Sequence, residues 1–305
     1  MTIGKHLDQF GGYNVRSWEP GQPLAHLENT IYRIAVEYDD KTSWVEKFQG
    51  YLATEGAEQS RGLVVGMWGT DSEVEPTEAI DALVQAREQL SQLEVLFFGD
   101  ITYEENEISW IQNSDNGPLF AAYPGLKHFG ARGGNGLRFK NLKAPNLQTL
   151  IVQTGGMSAE TVRDIMQAEL PELIHLELYL GTDNYGADYD MSDLTPILDG
   201  ALFPKLRYLG LKNAENQDEI AQVIVNAPVL AQLEVLDLSL GTLSDEGGQA
   251  LVNSADALKH LKHLDLEHHF LSEEMEEQLK ALGIEVDLGD PQDPDDDWRF
   301  VSIGE

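Results

Sequence analysis

The hexapeptide pattern L-x-x-L-x-L recurs down the chain. It appears as LEVLFF from Leu93, LKHFGA from Leu126, LQTLIV from Leu147, LIHLEL from Leu173, LRYLGL from Leu206, LEVLDL from Leu233 and LKHLDL from Leu261. The steps between first leucines are 33, 21, 26, 33, 27 and 28 residues. Four copies share a lead-in with proline or a close equivalent: YPGL, APNL, LPEL and FPKL. A proline there stops a preceding helix and turns the chain into a strand. The x-L-x-L part has period two, so its leucines face one side and the intervening residues the other. Between the strands lie stretches of helical period: SAETVRDIMQAEL from Ser158, QDEIAQVIVNAP from Gln217, SDEGGQALVNSADAL from Ser244 and SEEMEEQLKALG from Ser272. Serine stands at the start of three of them, acids lie in the first turn, and Gly283 follows the last as a stop.

A strand plus a helix every ~28 residues is the signature of leucine-rich repeats of the long, ribonuclease-inhibitor-like type. No single unit buries its leucines alone; stacked units bury them in one ladder. The expected fold is therefore α/β: a leucine-rich-repeat solenoid (horseshoe), with a curved parallel sheet on the concave side and helices on the convex side. TIYRIAVEY from Thr30 predicts a further strand with Tyr32, Ile34, Val36 and Tyr38 on one face, and GLVVGMWG from Gly62 another. Helices are expected over TSWVEKFQGYLA from Thr42 and PTEAIDALVQAREQLSQL from Pro76. The 21-residue step has no room for a helix, so GARGGNGLRFKNLKAPN must be a tight connection. The insertion GTDNYGADYD precedes a short helix near Leu194. Many leucine-rich repeats carry Asn a few residues after L-x-L; here those positions hold Gly181, Ala214, Gly241 and His269, so the turn backbone must be satisfied otherwise. The expected organisation is an N-terminal cap with a first strand and helix (1–58), the solenoid (59–289), and an acidic linker with a C-terminal capping strand (290–305). The ending WRFVSIGE carries too many apolar residues for a disordered tail, and is expected to return to the last repeat.

Charge narrows the partners. Fifty-three acids against 20 bases give −33 and a pI near 4.3, which argues against a nucleic-acid backbone or an anionic membrane. There is no cysteine, so disulfides, thiol catalysis and thiolate metal sites are excluded. The start MTIGKHLDQF lacks a signal-peptide pattern, and no apolar run approaches a membrane span. A cytoplasmic setting is the expectation.

Several stretches are more specific than the repeat: GDITYEENEISWIQNSD from Gly99, RGGNGL from Arg132, LGTDNYG from Leu180, FPKLRYLGLKNAE from Phe203, LEVLDLSLGTLSDEG from Leu233 and the ending VDLGD…WRFVSIGE. In these the chain resembles a bacterial family of cytoplasmic leucine-rich-repeat proteins, over nearly its whole length. The family is often encoded beside radical-SAM and ATP-grasp enzymes, so the resemblance implies an accessory to an enzyme system. It supplies no catalytic residues.

In such a fold function lies on the open sheet face, read in rows across strands. The non-leucine positions give an apolar N-terminal part and a charged C-terminal part. The candidate partner-binding residues are Arg132, His175, Glu177, Tyr179, Tyr208, Lys212, Asp237, His263, Asp265 and Glu267. Asp237 and Asp265 occupy one position on neighbouring strands, with Asp287 or Glu285 next. Adjacent strands lie ~4.8 Å apart. Like charges at that spacing repel by roughly 1 kcal/mol in water and several-fold more near a protein surface. Two accounts stay open: a solvated acidic rim, and a docking surface for a basic segment.

Other motifs carry less. His260, His263, His268 and His269 are close in sequence, but a strand separates them by ~13 Å, too far to share one metal ion. Gly130, Gly133, Gly134 and Gly136 lack the Lys-Ser/Thr of a phosphate loop and read as tight-turn glycines. In TYEENEISWIQNSDNGPLF, Ile108, Trp110 and Ile111 are expected to cover an apolar edge, and Glu104, Glu105 and Glu107 to be a solvated helix start. DPQDPDDD from Asp290 lacks the glycine and terminal Glu of a calcium loop and reads as a connector. No nucleophile elbow, zincin motif or dinucleotide fingerprint is present, and no cofactor is called for. The reading is a protein-interaction scaffold or adaptor that binds a protein or peptide, basic in character, on the concave sheet. The alternative is an enzyme, or an essential enzyme subunit, acting on a peptide or metabolite with Glu177, Tyr179, Asp237 and Asp265.

Overall fold

The computed structural model describes residues 3–69, 74–296 and 298–305. Among them, twelve strands neighbour one another in chain order. They are β1 (Gln9–Phe10), β2 (Tyr13–Ser17), β3 (Thr30–Ile34), β4 (Gly62–Val65), β5 (Val95–Phe98), β6 (His128–Arg132), β7 (Thr149–Gln153), β8 (His175–Gly181), β9 (Tyr208–Ala214), β10 (Val235–Asp237), β11 (His263–Asp265) and β12 (Glu285–Asp287). β1 and β2 pair antiparallel; β2 to β6 pair in parallel, as do β8 to β12. The helices are α1 (Trp44–Leu52), α2 (Thr77–Gln85), α3 (Gly117–Ala122), α4 (Ala159–Met166), α5 (Met191–Leu198), α6 (Gln217–Ile224), α7 (Asp245–Asn253), α8 (Ala255–Leu258) and α9 (Glu273–Lys280). Each strand beside its sequence neighbour, with a helix or loop between, is the leucine-rich-repeat solenoid.

Contacts group the chain into two compact units: Thr2–Ile151 with Gln167–Glu172, and Val152–Met166 with Leu173–Gly304. In the C-terminal unit Leu176, Leu209, Leu236, Leu264 and Val286 stand in register across β8 to β12. The four leucines are sealed from solvent. Burying each stabilises the fold by about 1.5–3 kcal/mol. The helices are stapled to one another by their first turns. Asp218 of α6 accepts the backbone N–H of Ser244 (2.8 Å) and its hydroxyl (2.6 Å), while Ser244 caps α7. Asp245 of α7 does the same for Ser272 at 2.8 and 2.8 Å, and Ser272 caps α9. Ser158 accepts from the Thr161 N–H at the start of α4 (3.2 Å).

The turn position left without asparagine is filled differently in each repeat. His269 is sealed from solvent. Its Nδ1 accepts from the Leu271 N–H (3.2 Å) and its Nε2 donates to the Leu288 carbonyl (3.3 Å). That pattern needs a neutral ring, and burial lowers the pKa accordingly. Two repeats earlier, the Gln217 amide donates to the Leu211 carbonyl (2.9 Å) and accepts from the Ala214 N–H (3.3 Å). The short step between β6 and β7 holds no helix, as its length required; isolated bridges tie Asn135 to Gln112 and Arg138 to Asp115. Gly133 there has φ of +102°, and a Cβ would come within 2.4 Å of Ile111.

In the N-terminal unit the sheet face opposite the helices is itself core. Phe10, Ile31, Val64, Val95 and Phe97 form one cluster, with Leu7, Tyr13, Val15 and Ile151 packed against it. Phe10 meets Phe97 edge-on at 5.2 Å. This accounts for the apolar N-terminal rows: they lie under the β1–β2 hairpin. β3 is accordingly buried on both faces and ends at Ile34, so the alternation expected out to Tyr38 is not a strand, and Tyr38 is exposed.

Two further expectations are corrected. Ile108 and Ile111 are buried, but Trp110 is 57% exposed and covers nothing. The ending is not a strand at the last repeat. Of the acidic run, Asp297 lies outside the described residues. From Trp298 the chain runs back over the turns that follow β11, β10 and β9. There the Ser302 N–H reaches the Leu240 carbonyl (2.8 Å), and Ile303 sits against Asn213. Those turns offer free backbone and amide groups to an extended segment, and they capture it.

Candidate functional site

Nine of the ten sequence-predicted site residues belong to the C-terminal unit. Strand register brings His175, Tyr208, Val235, His263 and Glu285 into one row, and Glu177, Gly210, Asp237, Asp265 and Asp287 into the next. Tyr179 and Lys212 pair beyond them. Period-two alternation puts all of these opposite the leucines. Gly210, in the middle of the second row, leaves room for the Lys212 chain: a Cβ there would meet Lys212 Cγ at 3.1 Å.

The row is charge-paired at one end only. Lys212 Nζ is 2.7 Å from Asp237 Oδ2 and 3.6 Å from Glu177 Oε2. It also lies 5.3 Å above the Tyr179 ring, a cation–π contact. Burial pulls the Lys212 pKa down, but the charges of Asp237, Tyr179 and Glu177 outweigh it, and the net shift is upward. Tyr208 donates to Asp237 Oδ2 (2.5 Å), and its ring stacks on His175 at 3.9 Å and 14°. His175 Nε2 lies 2.6 Å from Glu177 Oε1. Burial and the neighbouring Asp237 charge push the Tyr208 hydroxyl pKa far up, so it remains a donor.

Among the described residues no lysine or arginine forms an ion pair with Asp265 or Asp287. Each aspartate of the row bonds its own turn instead. The Oδ1 atoms of Asp237, Asp265 and Asp287 accept the N–H two residues on, at 3.0, 3.0 and 2.8 Å, from Ser239, Glu267 and Gly289. Burial first, then the Asp237 charge, raises the Asp265 pKa to about 6. His263 Nδ1 is 3.7 Å from Glu285 at the edge, and Glu267 is exposed.

Arg132 does not join this surface. It lies in the N-terminal unit and is 1% exposed, not presented on an open face. Its guanidinium donates to the Ile101 carbonyl (2.6 Å), approaches Asp100 Oδ1 (3.5 Å) and sits 5.6 Å from the Phe97 ring centroid. Asp100 is fully buried and also pairs with Arg33 (3.1 Å), while Arg33 reaches Glu105 (2.9 Å). Glu105 in turn accepts the Thr102 N–H (2.7 Å). Asp100 and Glu105 thus belong to an ion network that closes the turn after β5; Glu104 and Glu107 are exposed as expected, but no helix starts there. Sequence reading missed Asp100 and Arg33 because they lie 67 residues apart. It also missed Asn213 and His268, whose backbones are left-handed at φ of 55° and 60°; an asparagine at a strand end was the available signal.

The remaining histidines diverge. His260 bonds the Leu230 carbonyl (2.8 Å), and His268 contacts Asp290 and the Phe300 carbonyl at 3.1 Å each. Among the described residues no three histidine or acidic side chains are grouped to hold a metal ion, and no helix is long and apolar enough to cross a membrane.

No protein-family model matches the chain, and no curated protein matches it. Among solved structures, an internalin from Listeria monocytogenes aligns at 15% identity over 93% of this chain and 83% of its own, with a TM-score of 0.38. A leucine-rich-repeat protein from Leptospira interrogans aligns at 16% identity over 78% and 50%, with a TM-score of 0.34. The similarity to a protein of known crystal structure from Bacteroides fragilis is of another order: 32% identity over 90% of this chain and 77% of that one, with a TM-score of 0.83. A match of that identity and coverage means that the chain belongs to the family of this Bacteroides fragilis protein.

Proposed function

We propose that the chain is a protein-interaction scaffold. Its docking face is the outward row of β8 to β12, and its partner presents a basic segment there. The observation that carries this is the in-register row Asp237, Asp265 and Asp287, with Lys212 bonded at one end only. Two carboxylates at strand spacing repel by about 3 kcal/mol at an effective dielectric of 20. A lysine or arginine placed over Asp265 and Asp287 relieves that repulsion, which makes the row selective for cations on a polypeptide. His175, Glu177, Tyr179 and Tyr208 are already ordered by one another and by Lys212, so little side-chain freedom is lost on docking. The ribonuclease-inhibitor-like repeat type and a cytoplasmic setting belong to this reading; the absence of cysteine supports the setting.

The test is affinity capture with the native chain and with an Asp265→Asn, Asp287→Asn double variant. The partner is expected to be lost from the double variant. It should also be lost from the native chain in about 1 M salt, where screening acts over roughly 3 Å. A partner retained equally by the neutralised face overturns the proposal.

A further inference from the structure

One backbone corner recurs at the same place in consecutive repeats. Asn213, Leu240, His268 and Asp290, two residues past Leu211, Leu238, Leu266 and Leu288 respectively, all have positive φ, at 55°, 67°, 60° and 51°. Residues other than glycine rarely adopt this conformation. Three of these corners hold the tail, each at one residue of it. The Phe300 carbonyl lies 3.1 Å from His268 Nε2. The Ser302 N–H donates to the Leu240 carbonyl at 2.8 Å. Ile303 is clasped by the Asn213 amide, which accepts its N–H (2.8 Å) and donates to its carbonyl (2.5 Å). The pitches agree: three residues of extended chain cover ~10 Å, and two strand spacings cover ~9.6 Å. Beside these main-chain bonds, the Phe300 ring meets His268 and Phe270 edge-on at 5.5 and 5.6 Å, and Ser302 and Ile303 are buried.

We propose that the row of corners Asn213–Leu240–His268 is a binding groove for an extended peptide segment, and that residues 300–303 are its ligand in cis. The partner it fits is an extended segment with an aromatic residue, then a small residue two positions on, then an aliphatic one, as in Phe300, Ser302 and Ile303. The cis ligand is attached for exchange. Before it, the bonds of residues 293–296 among the described residues are local, the farthest being the Trp298 N–H to Asp296, and Trp298 stands 84% exposed. The groove lies at the strand ends, apart from the aspartate row, so this inference does not rest on the proposed docking face.

The experiment titrates a fluorescent peptide of sequence WRFVSIG into the full chain and into the full-length Ser302→Pro variant. Proline there removes the N–H that bonds Leu240. In the native chain the tethered segment competes at an effective concentration of roughly millimolar. The peptide should therefore bind Ser302→Pro at least tenfold more tightly than the native chain. Adding Asn213→Ala should weaken binding to Ser302→Pro at least tenfold. A folded Ser302→Pro chain that fails to bind the peptide, or binding indifferent to Asn213→Ala, overturns the proposal. Hydrogen exchange on the native chain decides it without any variant. The Ser302 and Ile303 amides should exchange more slowly than in the free peptide and faster than the Leu236 amide. Exchange at the free-peptide rate means no groove, and exchange as slow as the core means a permanent part of the fold.

Discussion

Replacing Lys212 by methionine removes one charge and keeps an unbranched side chain only one atom shorter. Lys212 is 11% exposed; its partner Asp237 is 0% exposed at 2.7 Å, and Glu177 stands 3.6 Å away. At an effective dielectric of 20 the gross attraction to Asp237 is about 6 kcal/mol. Desolvation of the ammonium already offsets part of this in the native chain. What the substitution exposes is the cost of an uncompensated buried carboxylate, and removing one partner of a buried pair costs about 3–5 kcal/mol. Tyr208 and the Ser239 N–H still bond Asp237, which places the expectation at about 3 kcal/mol, the lower end of that range. Urea unfolding at pH 7, followed by near-ultraviolet dichroism, reads the loss. Adding Asp237→Asn in the methionine background should recover more than half of it, because the amide keeps the bond to Ser239 and drops the charge. A loss under about 1 kcal/mol, or an asparagine that only adds to the damage, would refute the claim that Lys212 holds the row together.

Leu236→Ala should cost about 2–5 kcal/mol in the same urea assay, and a loss below ~1 would contradict the leucine ladder. His269→Ala leaves the Leu271 N–H and the Leu288 carbonyl without their partner and should cost about 1–3 kcal/mol, whereas His269→Asn should lose less. Since the folded ring is held neutral with a lowered pKa, its contribution is present above pH 6.5 and lost as pH falls below that, and thermal melts across pH 5–8 check the sign. Asp265 acts oppositely. The folded state keeps its proton from the ordinary 3.8 up to about 6 while the unfolded chain does not, so stability falls as pH rises through that window. Asp265→Asn should remove that slope and stabilise the chain at pH 7 by about 1 kcal/mol, discounted for partial exposure. An unchanged slope would show that another group titrates there.

The repeat and the charged row were legible because both are periodic. Leucine spacing set the strand register, and that register placed Asp237, Asp265 and Asp287 side by side. What escaped was long-range and aperiodic. The β1 strand has two residues, too few for any period to show, so nothing announced that Phe10 would cover Val95 and Phe97. Arg132 read as a partner-binding residue because Asp100 lies 32 residues before it, and only the fold brings them together. Where the apolar ending packs depended on left-handed corners that residue type does not specify, since Leu240 adopts a similar φ to Asn213 and His268.

Each aspartate of the row does two things at once: one oxygen closes the turn of its own repeat, and the carboxylate adds to the charge of the face. The first-turn aspartates Asp218 and Asp245 likewise carry the joint to the next helix within the repeat itself. An in-frame gene duplication of one such unit would therefore copy a part complete with its fastenings, needing no compensating change elsewhere. The copy would also extend the row by one carboxylate. Array length and surface field are thus inherited together, and lineages that lengthen the array become more acidic on this face without selection for charge. The two traits separate by a single mutational step, aspartate to asparagine, which keeps the turn and drops the charge. A charge-neutral member of the family with asparagine at these positions is the evolutionary outcome that this coupling anticipates.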